Sequence, residues 1–207
     1  PTGDFEYVET IEVDLSERGN ANCYIVPSVG LYRFDADIVG NGEYGYVQNE
    51  RFYPATPEIN PHSVELLWED FSGMVTNLTL VDGKVCFQAN GKEGNALIAV
   101  KDASGKILWS WHIWVVDFDP DETKQTLTNG VQMMDRNLGA TSATPGDLGA
   151  LGLMYQWGRK DPFMGSSSIS SSVLAVSTGT WNIISGGSTA KAEENPMTFY
   201  TSMNLPK

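Results

Sequence analysis

The chain has 207 residues, 41% hydrophobic and 11% aromatic, which is material for a packed core and excludes a wholly disordered, collagen-like or coiled-coil chain. Its longest apolar runs, such as Ala96–Val100 and Ile113–Val116, fall far short of the ~18 residues a bilayer helix needs. Thirteen Lys and Arg stand against 26 Asp and Glu, a net charge of −13. Without basic clusters there is nothing to displace the counterions of a nucleic-acid backbone, so a nucleic-acid partner is excluded.

The charge is unevenly placed. Residues 1–118 hold 7 basic and 18 acidic side chains, and residues 119–207 hold 6 and 8. The hydrophobic pattern changes at the same place, which sets a domain boundary near Asp117–Thr123 and two domains, 1–118 and 119–207. The start, Pro1-Thr2-Gly3-Asp4, has neither a basic beginning nor an apolar run, and reads as a chain whose targeting segment is gone or as a fragment.

Period-two patterning dominates the first domain. Tyr7–Val13 and Asn22–Val26 read as strands, and Leu31–Val39 alternates Arg33, Asp35 and Asp37 against Tyr32, Phe34, Ala36 and Ile38. Val64–Trp68 adds another. Asp82-Gly83 between Leu78–Val81 and Val85–Phe87 predicts a hairpin, because this pair suits the positive φ angles of a type I′ turn. Ala96–Val100 and Ile107–Val116 flank Asp102–Gly105 as a second hairpin. In its outgoing strand Ile107, Trp109, Trp111, Ile113 and Val115 share one face, and the mixed set Leu108, Ser110, His112, Trp114 and Val116 shares the other. Seven to nine short strands predict an antiparallel β-sandwich of immunoglobulin-like size. The architecture alone is claimed, since Trp68 lies 45 residues after Cys23, too far for an immunoglobulin core tryptophan.

Cys23 and Cys86 either bridge, closing a loop of about 60 residues worth ~4 kcal/mol, or remain two buried thiols. Two cysteines alone do not decide between these.

In the second domain, Asn129-Gly130 predicts a turn and Val131–Met134 a strand. Thr144-Pro145-Gly146-Asp147 resembles a helix start, with Thr144 as N-cap. Leu148, Leu151, Gly152 and Tyr155 then form one stripe, and Gly158 closes the helix. Residues 165–188, rich in serine, read as a surface loop, with no closing strand or helix predicted beyond them.

Long strings here resemble one family. Asn22–Val26, Lys101–Gly105, Ile107–Trp114, Met134–Thr141 and Tyr155–Phe163 are similar to strings in gut Bacteroidales surface proteins, fimbrillin-like or carrying the Fibrobacter succinogenes major paralogous domain. The resemblance runs from about residue 20 onward. It implies a β-rich segment followed by a domain of C-type-lectin-like, α+β fold. That domain is expected to continue past Lys207 into a Cys-Pro-x-Gly-Trp-Arg-Val-Pro type motif, making this chain a truncated form. It also implies export, an outer-surface position on a Gram-negative cell, lipid anchoring through a removed N-terminal segment, and a role in fimbriae or adhesion. Partners would be other fimbrial or surface proteins, or host or dietary glycans.

Each candidate site carries two readings. Asp135-Arg136-Asn137 is a polar ligand site for sugar hydroxyls, or an internal network with Arg136 paired to acids and Asn137 capping a turn. Trp157, Arg159, Asp161 and Phe163 form a sugar-stacking cluster, or core packing at a helix end. Asp117, Asp119, Asp121 and Glu122 resemble the start of a calcium loop. An EF-hand needs Gly and Glu where this chain has Glu122 and Thr128, so an acidic linker is the better reading. Calcium enters only by analogy with lectin-like folds, and no cofactor is expected. His62 and His112 stand far apart, and no catalytic motif is found. Formylglycine-generating enzymes share the lectin-like fold but use a cysteine pair, and no Cys follows residue 86. Asn77-Leu78-Thr79 fits a glycosylation sequon, which means little in a bacterial surface protein. The expectation is a non-enzymatic adhesion or fimbria-associated protein with the β-sandwich as stalk or spacer; the alternative is a carbohydrate-binding module.

Overall fold

The computed structural model describes residues 12–27, 29–43, 58–165 and 181–204. Two four-stranded sheets pack face to face. The first comprises β1 (Glu12–Asp14), β3 (Gly30–Asp35), β6 (Lys84–Ala89) and β5 (Val75–Val81), in that spatial order. The second comprises β2 (Cys23–Val26), β8 (Ile107–Val115), β7 (Gly94–Lys101) and β4 (Ser63–Glu69). The chain is mainly β and sandwich-like, as its alternation predicts. Two pairings depart from the antiparallel expectation: β1 runs parallel to β3, and β2 parallel to β8. Both parallel strands sit at sheet edges. Of the expected Tyr7–Val13 strand, residues 7–11 lie outside the described residues.

Alternation builds the interior directly. Tyr32 and Phe34 of β3 and Val85, Phe87 and Ala89 of β6 meet Ala96, Ile98 and Val100 of β7 and Trp109, Trp111, Ile113 and Val115 of β8. Phe34 is the hub, with ring centroids 4.9 Å from Tyr24 and 5.1 Å from Trp111. Truncating so enclosed a ring costs on the order of 3–5 kcal/mol. The β5–β6 hairpin turns through Asp82 (φ 49°) and Gly83 (φ 75°), the two positive angles that Asp-Gly predicts.

The outer face of the second sheet is buried as well. A β-bulge between Leu66 and Trp68 breaks the alternation of β4: Leu66 pairs with inward Ile98, while Trp68 pairs with Leu97. The bulge turns the indole to the outer face, where Trp181 meets it at 6.2 Å. Leu97, Ala99, Ser110, His112 and Trp114 on this face are all nearly inaccessible. What covers them is the second half of the chain. Asn95 reaches Gly139, Ser110 reaches Lys160 and Asp161, and Lys106 pairs with Glu194 at 2.8 Å.

That second half is built from short pieces. A one-turn helix α1 (Pro120–Thr123) leads into the ribbon β9 (Gln125–Thr126) and β10 (Gln132–Met133), turned at Asn129-Gly130 as predicted. Near the end come β11 (Asn182–Ile184), β12 (Gly187–Ser188), helix α2 (Thr189–Glu194), β13 (Thr198–Tyr200) and β14 (Met203–Asn204). β11 pairs with β13 and β12 with β14, both parallel.

Two expectations are corrected here, and one alternative that the sequence left open is decided. The helix predicted over 144–158 is a single 3-10 turn, Leu148–Leu151, capped by Asp147 rather than Thr144. Gly152 stops it with φ at 72°, a left-handed angle incompatible with helical continuation. Residues 182–184 and 187–188 of the expected serine-rich loop are strands, with Ser188 capping the helix that follows, while 166–180 lie outside the described residues. Cys23 and Cys86 are free. Tyr24 and Val26 point into the sandwich, so Cys23 points out of it; Val85 and Phe87 point in, so Cys86 points out on the opposite side. Sheets pack ~10 Å apart, and thiols on their two outer faces are beyond bridging distance.

Candidate functional site

Four residues make a tight turn at the surface. The Arg159 N–H donates to the Gln156 carbonyl at 3.1 Å, and Gly158 takes φ 79°, which an L side chain adopts only at a cost. Trp157 occupies the apex and is 81% exposed. Exposing an indole forfeits ~2–3 kcal/mol of burial, and Trp157 is the one described tryptophan left largely in water.

The turn is rigidly held from behind. Arg159, 8% exposed, donates Nε to the Asp161 carbonyl at 3.0 Å, Nη1 to the Thr198 carbonyl at 2.5 Å and Nη2 to the Pro196 carbonyl. Its guanidinium also lies 4.2 Å over the Phe163 ring. Gln156 donates to the Tyr200 carbonyl. Lys160 sends its three N–H donors to the Ser110 carbonyl (2.9 Å), Ser110 Oγ (2.6 Å) and Asp161 Oδ1 (2.6 Å). Burial pulls the Lys160 ammonium below its ordinary pKa, and the Asp161 carboxylate opposes that. Asp161 also accepts from Ser110 Oγ at 2.7 Å and is 2% exposed. Arg159 and Asp161, candidates for direct ligand contact, are therefore the scaffold of the turn. Phe163 is packing, its ring 6.2 Å from Trp181 and 5.7 Å from Phe199.

Beside the turn lies an open cleft of about 570 Å³. Tyr155, Gln156, Trp157 and Lys160 line it from the turn, and Thr189 and Glu193 from α2. Tyr155 is 42% exposed. Glu193 accepts no hydrogen bond from any described residue; burial raises its carboxyl above the ordinary range, against the pull of Lys160. Sequence reasoning located Trp157 and missed Thr189 and Glu193. Ser188 followed by Thr189-Ala-Lys-Ala-Glu-Glu is a cap and a run of helix formers that puts positions 189 and 193 on one face, a signal that was there to read.

The Asp135-Arg136-Asn137 group lies apart from this cleft and is internally spent. Arg136 grips Asp135 with two hydrogen bonds, 2.8 and 3.1 Å, and its guanidinium stacks 3.9 Å over Phe118. That grip holds the Asp135 carboxyl below its usual range. Asn137 donates to the Ala150 carbonyl at 3.1 Å. In the acidic linker, Asp119 caps α1 and Asp121 meets Lys124 at 3.1 Å. Among the described residues no three His, Cys, Asp or Glu side chains converge as a metal site. No helix among them is long and apolar enough to cross a membrane. His62 is exposed on a loop.

A second polar constellation is buried under the outer face. Asn95 donates Nδ2 to Asp70 Oδ2 (2.9 Å) and to the Gly139 carbonyl (3.0 Å), which leaves its Oδ1 as the acceptor for His112 Nε2 at 2.9 Å. That fixes the tautomer: Nε2 carries the proton and Nδ1 accepts from the Cys23 thiol at 3.1 Å. Cys23 and His112 face each other across the β2–β8 pair. The order Cys–His–Asn suggests a thiol nucleophile, and the electrostatics refuse it. Burial pushes the thiol up to about 12 and the imidazole down to about 3, so the proton stays on sulfur and no thiolate forms. The chain is a structural lock between β2, β8, β7 and the Gly139 loop.

Nothing among family models, curated proteins or solved structures matches this chain.

Proposed function

We propose that this chain is a non-enzymatic recognition module of a cell-surface adhesion or fimbria-associated protein, exported to the outer surface, in which the β-sandwich is the spacer and the Trp157 cleft binds glycan. The supporting observation is the 81% exposed Trp157, presented on a turn that Arg159, Gln156 and Lys160 hold rigid. A flat indole in a fixed orientation stacks on the apolar face of a pyranose ring with little ordering cost. The net charge of −13 keeps such a surface module soluble and repels anionic surfaces. The neutral Cys23–His112 pair, with a half-buried thiol raised and a buried imidazole lowered by burial, supports the non-enzymatic reading.

The test is a glycan array, with and without calcium, on the wild-type chain and Trp157→Ala. Binding that disappears in the variant while thermal unfolding shifts by less than ~0.5 kcal/mol supports the proposal. Silence from the wild-type chain, or binding that survives the substitution, overturns it and turns attention to protein partners.

A further inference from the structure

We propose, resting on the glycan reading above, that the cleft selects neutral sugars bearing adjacent hydroxyls and rejects carboxylated sugars, and that Glu193 of α2 makes the selection. The argument is an inventory of the polar atoms at the cleft. Lys160 is its one ammonium, and all three of its N–H donors are directed inward to Ser110 and Asp161. The Arg159 guanidinium donates to three backbone carbonyls and lies over Phe163, so it too is directed inward. An acidic sugar entering here meets no cation with free donors.

Glu193 is the reverse case. Glu193 lines the cleft, and its carboxylate accepts no hydrogen bond from any described residue. Two carboxylate oxygens accept from two neighbouring hydroxyls on one sugar, in the charge-assisted geometry that is about twice as strong as a neutral hydrogen bond. The same carboxylate repels a uronate or sialate, and the Lys160 ammonium that pulls on it has all three donors already committed to Ser110 and Asp161. Trp157 supplies the stacking plane and is indifferent to charge at this level; Glu193 supplies the discrimination. The two contributions are separable because the residues sit on different elements, the 156–159 turn and α2.

The experiment measures affinity by calorimetry at low salt for β-1,4-linked tetrasaccharides of glucose, galactose and mannose, and for the C6-oxidised uronate of each with the same linkage. The wild-type chain is compared with Trp157→Ala and Glu193→Gln. The expected result is at least tenfold preference for the neutral member in one series, with Glu193→Gln weakening neutral binding by ~10-fold and strengthening uronate binding. Equal or uronate-preferring binding that Trp157→Ala still abolishes overturns the selection while the glycan reading stands. A neutral preference unchanged in Glu193→Gln overturns the role given to Glu193. Absence of binding to all six probes overturns both.

Discussion

Asn95 is the place to test whether the buried polar chain holds the second half of the molecule to the sandwich. Asn95→Ala removes the donor to the Gly139 carbonyl and the acceptor of the His112 N–H, and takes one donor from Asp70. Asn95 is fully buried. Two buried groups left without partners cost ~1–3 kcal/mol each, and the vacated side-chain volume adds to that, so a loss of ~4 kcal/mol is expected. Against a typical total of ~5–15 kcal/mol this is severe. Urea unfolding at pH 7 gives the number, read from the midpoint at unchanged slope. A double-mutant cycle with His112→Ala should show the two losses overlapping, because they share one hydrogen bond. A loss below ~1 kcal/mol, or strict additivity in the cycle, would show that water or a shifted side chain satisfies these groups and that the lock carries no weight.

Burial depresses the His112 pKa to about 3, against ~6.5 unfolded. The unfolded chain therefore binds the proton first. Stability from neutral His112 is full above pH ~6.5 and falls as pH drops toward 3, by ~3 kcal/mol at pH 4. His112→Gln should flatten that part of the curve; parallel curves for the two proteins would contradict the burial argument. Arg159→Lys should cost ~2–4 kcal/mol in chemical denaturation, because an ammonium cannot span the carbonyls of Asp161, Pro196 and Thr198 at once, and a wild-type midpoint would refute this. Non-reducing mass spectrometry after denaturation should find two free thiols, and a mass lower by two hydrogens would refute the placement of Cys23 and Cys86 on opposite faces.

Both hairpins and the inward face of β8 were legible because alternation and turn chemistry are local. The mixed outer face of β8 was legible as a pattern, but not its reason. Ser110 and His112 are polar because Asp161 and Asn95 meet them, and those partners are fixed by tertiary packing. Trp68 could not be placed by counting, since the bulge after Leu66 reverses every later position of β4. The 144–158 stripe mimicked a helix; Gly152 alone decides otherwise, through a backbone angle that composition does not reveal. At the site, exposure of Trp157 against burial of Arg159 and Asp161 inverted the even treatment that a Trp-x-Arg-x-Asp string invites.

Several groups that cover the outer face of the second sheet come later in the sequence than the strands they cover: Gly139 on Asn95, Asp161 on Ser110, Trp181 on Trp68. On the ribosome, the last sandwich strand is finished at Val115, whereas Trp181 follows 66 residues later. At synthesis rates of ~5–20 residues per second, that interval is roughly 3–13 s. For that long the nascent sandwich carries Trp68 without the indole that meets it, an apolar face that suits chaperone capture. A change in elongation rate is therefore expected to change the yield of folded protein even where the stability of the finished fold is unchanged.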